Sequence, residues 1–310
     1  MKEIIVIGHK NPDTDSVVAA KALSYILNKE GKDSVSRISG KHNKETEFVF
    51  NSFNEDVPNI VSDEEIKEGS FFLVDHNDLQ QSVAGKDNIC GVLDHHLLSG
   101  LKTDNTIYFR VEELGSTSSL VYKLLKEKNI ELTKEVGRLL LAGIISDTLN
   151  LNSPTTTTED IDYYHELAEI TQVDPENLAQ EMFKAKSDFS GCEIKEVLIG
   201  DMKSYSFGEK KIAIGVAEVT SFEYFDENKN LIMENLPRIK EEEDVEAFFL
   251  CLIDIIKGCT RIYPAAEEEL RVVKEVFNGE EKGDYFFLEN VSSKKKEIAP
   301  PLSKYYENIK

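Results

Sequence analysis

Little in this chain points to export, membrane insertion or thiol chemistry. Its four cysteines, Cys90, Cys192, Cys251 and Cys259, form no CxxC pair, and they read as reduced core thiols of a cytoplasmic protein. No apolar run approaches a membrane span; Phe248 to Ile253 is cut short by Asp254. The N-terminus enters a short apolar strand directly, without the long h-region of a signal peptide. Basic charge is also scarce. Lys and Arg number 36 against 58 Asp and Glu, a formal charge of −22. Phosphate backbones and anionic membranes demand a basic footprint, so neither nucleic acid nor membrane is an expected partner. Runs such as Glu241-Glu242-Glu243-Asp244 and Glu267-Glu268-Glu269 read as solvated faces. There is no Gly-Gly pair, no internal repeat and no low-complexity tract.

At 310 residues the chain can form one large or two ordinary domains. Residues 3–8 read as a buried strand. Residues 16–29 carry Val17, Ala20, Leu23, Ile26 and Leu27 at helical spacing, with Asp and Ser at the start as cap candidates. Short apolar runs at 71–74, 89–93 and 106–109 alternate with helical patterns near 43–53, 116–128 and 133–146. Thr155 to Asp160 should start another helix, and 174–186 reads as one more. This alternation predicts an α/β fold whose N-terminal part is a largely parallel sheet flanked by helices.

The small, polar segment Ser187-Asp-Phe-Ser-Gly191 is the best linker candidate. Beyond it, residues 210–219 alternate, and an amphipathic segment runs to about 243. An apolar run then covers 247–256, followed by a helix near 266–277 and short strands near 285–293. The expected division is an N-terminal domain at 1–187, a hinge linker at 188–192 and a smaller C-terminal α/β domain at 193–310.

What the chain does have is a recurrent pattern of nitrogen and oxygen ligands at strand ends. His9-Lys-Asn-Pro-Asp13-Thr-Asp15 follows the strand Ile4 to Gly8. Three later segments end in the same chemistry: Leu73-Val74-Asp75-His76-Asn77, Val92-Leu93-Asp94-His95-His96 and Ile144-Ile145-Ser146-Asp147. Four of the six histidines fall inside these segments. Open α/β sheets bind ligands beyond the carboxyl ends of their strands. Asp147 ends an apolar segment that reads as helix, although a strand fits too.

So many carboxylates and imidazoles exceed the needs of one metal and suit a two-metal site with a bridging carboxylate. A water shared by two cations loses a proton near neutral pH and becomes an in-line nucleophile, while the cations neutralise phosphoryl oxygens. Without thiolates, the ligand set favours manganese, cobalt or magnesium over structural zinc.

Each residue also has a plainer reading. Asp13 and Asp15 fit a helix cap and a turn, and Asp75 and Asp94 fit caps of following helices. His95 and His96 fit satisfied polar groups at a strand end. Taken together, that account needs four separate coincidences of ligand type and position.

The segments GHKNPDTDS (8–16), VDHN (74–77), LDHH (93–96), GSTS (115–118) and IISD (144–147) resemble the DHH phosphoesterase superfamily. Within it they are most similar to the family II (manganese-dependent) inorganic pyrophosphatases, over nearly the whole chain. The resemblance implies hydrolysis of pyrophosphate, with the active site in a cleft between the two domains and a homodimer formed through the N-terminal domains. It implies two manganese (or cobalt) ions per subunit, with magnesium arriving on the substrate. His9, Asp13 and Asp75 would hold one metal. Asp15, Asp75, His95 and Asp147 would hold the other, with Asp75 bridging. His96 would sit beside nucleophile and substrate, with Asp94 orienting an imidazole.

Phosphate-binding cations would come from Lys203, in Asp201-Met202-Lys203, and from a C-terminal motif that the family writes SRKKQ before a proline. This chain has Ser293-Lys294-Lys295-Lys296-Glu297-Ile298-Ala299-Pro300, which puts Lys294 at the family's arginine and Lys295 at the next position. A register slipped by one would put Ser293 there instead. Lysine offers a compact charge where arginine offers a rigid fork. With six arginines against thirty lysines, a general drift towards lysine can explain the change.

The nearest competing activity is a short-chain exopolyphosphatase or another DHH phosphoesterase. Oligonucleotide and cyclic-dinucleotide phosphodiesterases of the superfamily carry a glycine-rich GGGH-type motif, and this chain has no Gly-Gly pair. A non-catalytic sensor on the same fold should have lost ligands, whereas all are present. The interval from His96 to Asp147 is too short for inserted nucleotide-binding modules.

Overall fold

The computed structural model describes residues 2–208 and 210–308. It divides into two compact units, Met1–Ala185 and Lys186–Lys310.

The first unit is built on a five-stranded, wholly parallel sheet. Its strands are β1 (Ile4–Ile7), β2 (Ser34–Arg37), β3 (Ser70–Val74), β4 (Ile89–Asp94) and β5 (Tyr108–Val111), in the order β2-β1-β3-β4-β5. Side chains alternate across a strand. Ile5, Ile7, Phe71, Leu73 and Val92 therefore join one cluster with Val61, Ala84 and Ile89, while Val6, Phe72, Val74 and Leu93 on the intervening positions are buried too. Burial on both faces is what makes the central strands continuous apolar runs.

The helices of this unit are α1 (Thr14–Lys29), α2 (Lys44–Ser52), α3 (Asp63–Glu68), α4 (Thr117–Glu127), α5 (Lys134–Thr148), α6 (Thr158–Thr171) and α7 (Pro175–Lys186). Helix α1 packs on β1, β2 and β3, and also on α4 and α5. It begins two residues earlier than its apolar spacing indicates, because Asp13 caps it. Strand β5 lies two residues later than its apolar run. Strand β2 is a polar edge strand, SVSR, with no apolar run to announce it. Helix α3 buries none of its residues; a Ser62–Glu65 capping box starts it.

The second unit carries a mixed six-stranded sheet, ordered β10-β11-β9-β8-β7-β6. The strands are β6 (Asp201–Phe207), β7 (Lys210–Val219), β8 (Ala247–Asp254), β9 (Cys259–Pro264), β10 (Glu280–Lys282) and β11 (Tyr285–Glu289). Only β7 and β8 pair in parallel. Strand β8 is buried throughout. Phe248, Leu250 and Leu252 face a cluster with α8 (Ile194–Ile199), α9 (Glu223–Glu227) and α10 (Lys229–Glu242), whereas Phe249, Cys251 and Ile253 face α11 (Glu267–Val276) and α12 (Ala299–Asn308).

Phe189, in the middle of the polar segment before this unit, packs on Tyr224 and Phe225 at ring-centroid distances of 5.1 and 5.3 Å. Ser187 Oγ accepts a hydrogen bond from the Thr220 amide. The segment is thus tied to the second unit's core.

Candidate metal centre

Three parallel strands and two helices of the first unit deliver one cluster. Gly8 ends the first strand's run and His9 follows it, buried. Asp13 does two things with two oxygens. Oδ1 accepts the Ser16 amide at 3.0 Å and caps α1, while Oδ2 lies 3.4 Å from His9 Nε2. The cap reading and the ligand reading are therefore compatible.

Asp15, one residue into the same helix, is fully buried. Its carboxylate accepts the Thr117 and Ser118 amides at 2.7 and 2.9 Å, so the positive end of α4 is turned on it. Helix α5 comes close at this point only because residue 143 is glycine. A Cβ there would lie 2.0 Å from Ser118 Oγ and 2.9 Å from Asp15 Oδ1.

Asp75 directly follows β3, with a backbone φ of 60° in the left-handed region and its amide bonded to Leu93 O at 3.1 Å. Its two oxygens face different imidazoles. Oδ2 lies 3.3 Å from His9 Nε2; Oδ1 lies 3.4 Å from His95 Nε2 and accepts Thr117 Oγ1 at 3.0 Å. His95 donates Nδ1–H to Leu114 O at 2.9 Å, because a carbonyl can only accept. That leaves its Nε2 lone pair towards Asp75 and towards Asp147 Oδ2, 3.1 Å away. Asp147 sits near the end of α5, so the helical reading of its segment holds.

Two donor groups emerge from these contacts: His9, Asp13 and Asp75, and Asp15, Asp75, His95 and Asp147. Each keeps its ligand atoms within 4.8 Å of one another, and Asp75 belongs to both. Asp75, His95 and His96 form a third overlapping group.

The electrostatics fit a cation. Burial, followed by the Asp75 and Asp147 charges, pushes the Asp15 carboxyl well above its ordinary range. Burial alone would raise Asp75 as well, but hydrogen bonding to His9 and His95 holds it well below. A cation among these carboxylates would relieve their mutual repulsion and offset the burial of Asp15 and Asp75. The 3.1–3.4 Å separations suit neighbouring corners of a coordination shell, since donors about 2.1 Å from a shared ion at right angles lie roughly 3 Å apart.

Asp94 ends β4 and caps no helix. Its Oδ1 accepts the His95 and His96 amides at 2.8 and 3.1 Å and the His96 Nδ1–H at 2.8 Å. Its Oδ2 accepts Asn77 Nδ2 at 2.6 Å. Burial would raise its pKa, yet the charge and hydrogen bond of His96 hold it well below the carboxylate range.

Two residues around the centre have supporting roles that the ligand pattern does not announce. Asp160 accepts the Gly115 amide at 2.7 Å and Ser119 Oγ at 2.5 Å, fixing the turn into α4. His76 donates Nδ1–H to Val74 O, and burial pushes its pKa down to about 4.

The lysines singled out in the sequence belong to the second unit. Lys203 lies on β6, while Lys294 and Lys295 open a single π-helical turn, Lys294–Ile298, capped by Ser293. Lys294 is buried and donates to Asp201 Oδ2 at 2.6 Å and to Asp201 O at 3.2 Å. Burial pushes the Tyr205 hydroxyl pKa up, and the charges of Lys203 and Lys295 oppose that rise, so both stand near it.

Residues 3–144 match the family described as DHH family, N-terminal domain, and residues 180–305 match the DHHA2 domain. The "Probable manganese-dependent inorganic pyrophosphatase" of Clostridium acetobutylicum is 36% identical, covering 99% of both chains. The manganese-dependent inorganic pyrophosphatase of Bacillus subtilis is 31% identical, covering 98% of both. The crystal structure of a Methanococcus jannaschii protein named "putative family II inorganic pyrophosphatase" superposes with a TM-score of 0.86 at 32% identity. That match covers 98% of this chain and 100% of the other. An exopolyphosphatase-related protein of Bacteroides fragilis shares the fold at 16% identity, with a TM-score of 0.52 over 98% of this chain and 93% of its own.

Proposed function

Because the chain belongs to the family of manganese-dependent inorganic pyrophosphatases, we propose that it hydrolyses pyrophosphate to two orthophosphates. The observation that carries this reading is Asp75, whose two oxygens face His9 on one side and His95 on the other and so join two ligand groups. His9, Asp13 and Asp75 would hold one manganese ion, and Asp15, Asp75, His95 and Asp147 the second, with a magnesium ion accompanying the substrate. When bound, such ions supply Lewis acidity: they ease ionisation of water and neutralise phosphoryl oxygens.

The chain's own residues supply the rest. Leu114 O fixes the His95 tautomer so that Nε2 presents its lone pair. Asp94 holds His96 through Nδ1, leaving Nε2 as the ring atom able to accept or release a proton beside the substrate. The amides of α4 orient the Asp15 carboxylate and oppose, without overcoming, the rise in its pKa from burial and from the Asp75 and Asp147 charges. Lys203, Lys294 and Lys295 would bind phosphate and offset charge on the leaving group. The net charge of −22 agrees with a small anion, not a nucleic acid, as substrate, selected by local cations.

Phosphate release from pyrophosphate, tripolyphosphate and a cyclic dinucleotide, each with manganese, cobalt and magnesium, tests this reading. Pyrophosphate should dominate with manganese or cobalt. Dominant tripolyphosphate turnover would favour a short-chain exopolyphosphatase, the reading that Lys294 at an arginine position keeps open.

A homodimer through the first unit is also proposed. Strand β5 is a sheet edge with Tyr108 and Phe109 exposed, and Leu97 and Leu98 are 86% and 70% exposed; such an edge invites pairing. Light scattering should give a mass near twice 35.1 kDa, and Phe109→Lys should shift it towards the monomer. Cytoplasmic residence agrees with four free cysteines; among the described residues no helix is long and apolar enough to cross a membrane. The hinge is proposed at 188–192. With Phe189 packed on the second unit, protease cutting in the native protein should fall before 189 if the pivot lies nearer Ala185.

A further inference from the structure

Helix α2 contributes a carboxylate that none of the ligand motifs contains. Glu45 lies in the first turn of α2, which Asn43 caps, and it is fully buried. A buried charge persists only where partners offset its desolvation. The partners here are specific. Glu45 Oε2 accepts Thr14 Oγ1 at 2.8 Å and Ser146 Oγ at 2.7 Å. Thr14 stands between Asp13 and Asp15, and Ser146 immediately precedes Asp147. One oxygen therefore ties the start of α1 to the end of α5 at the points where their ligands leave the backbone.

The remaining contacts show which ligand group depends on this tie. Asp13 is fixed within its own helix by the Ser16 amide, and His9 by its position after β1. Asp15 and Asp147 come from two different helices and must be held in mutual register to serve one cation. Thr46 Oγ1, which donates to Asn43 Oδ1 at 2.9 Å, lies 3.1 Å from Thr14 Oγ1.

We propose that Glu45 is a positioning residue for the Asp15–Asp75–His95–Asp147 metal group, acting through Thr14 and Ser146 and touching neither metal nor substrate. The inference rests on the two-cation reading above.

The test is a manganese titration of the full chain, followed by the paramagnetic resonance of free Mn2+ and needing no turnover. Wild type should show two classes of site. Removing partners that orient metal ligands typically costs roughly ten- to hundredfold in affinity. Glu45→Ala should lose that much at one class only, the class that Asp147→Asn removes and not the one that Asp13→Asn removes. Glu45→Gln should restore affinity close to wild type, because the amide oxygen still accepts both hydroxyls. Unchanged affinities in Glu45→Ala, equal loss at both classes, or a Gln variant as weak as the Ala variant would each overturn the proposal. If Glu45→Ala does not fold, Ser146→Ala takes its place. A smaller loss at the same class supports the tie, and no loss overturns it. A wild type that binds no manganese would instead remove the two-cation reading itself.

Discussion

The two units treat charge in opposite ways. In the first, the acidic and imidazole groups of the cluster are buried or half-buried and are held by named partners: amides of α4 on Asp15, the Leu114 carbonyl on His95, Asp94 on His96. In the second, Lys203 stands half-buried on an edge strand, and Lys294 and Lys295 open one irregular turn, Lys294 leaning on Asp201. Coordination is short-ranged and directional, so its ligands need fixed geometry. A cation facing phosphate acts largely through its charge and tolerates movement of a flexible stem. The proposed roles fit this contrast: metal ligands need fixed partners, whereas phosphate-facing lysines do not.

The comparison breaks first at Asp75. Asp75→Ala should abolish pyrophosphate hydrolysis with manganese, cobalt and magnesium alike, well beyond the roughly 10–100-fold that loss of an orienting partner costs. Substantial residual turnover with any of the three would refute a shared ligand.

Manganese removal comes next. At about 100 times its Kd, a ligand stabilises the native state by about 2.7 kcal/mol. For a unit the size of Met1–Ala185 that corresponds to about 5–10 °C in Tm. A thermal scan with and without chelator should show the shift, and Asp75→Ala should lack it.

Smaller effects are expected in the second unit. If the proposed phosphate roles hold, Lys203→Ala and Lys295→Ala should each cost about 1.5–3 kcal/mol, or roughly ten- to hundredfold in kcat/KM, with metal affinity unchanged. A change in manganese binding would show that the two units are not separable in this way. The smallest effect should come from Lys294→Arg. An arginine fork can keep Asp201 and still present N–H groups to phosphate, improving KM by up to about 1 kcal/mol. Identical KM and kcat in this variant would mean that position 294 does not contact substrate.

The members of the cluster were legible in the sequence because coordination would need particular side chains, and those side chains recur after apolar strands: His9 after Ile7, Asp75 after Val74, His95 after Asp94. What orients them was not. Leu114 acts through a carbonyl, which every residue possesses. Glu45 lies in Lys-Glu-Thr-Glu, a stretch that looks like a solvated helix start, and only tertiary packing buries it.

Elements were lost for related reasons. Strand β2 has no apolar run because it is an edge, and β9, Cys-Thr-Arg-Ile-Tyr-Pro, interrupts its apolar residues with polar ones. Helix α12 begins Ala-Pro-Pro, which reads as a stop, although proline is tolerated in a first turn, where the amide has no helical partner.

The left-handed backbone at Asp75 makes that codon answer to two selections at once. Conformation there favours glycine, asparagine and aspartate, with other residues penalised by roughly 1–2 kcal/mol. Ligation accepts only a carboxylate of the right reach. Aspartate alone satisfies both. A saturation library at position 75 should therefore rank variants for stability in an order unrelated to their activity, with asparagine and glycine well folded and inert. A substitution-tolerance map built from expression levels would score asparagine and glycine at this position as tolerated, whatever they do to activity.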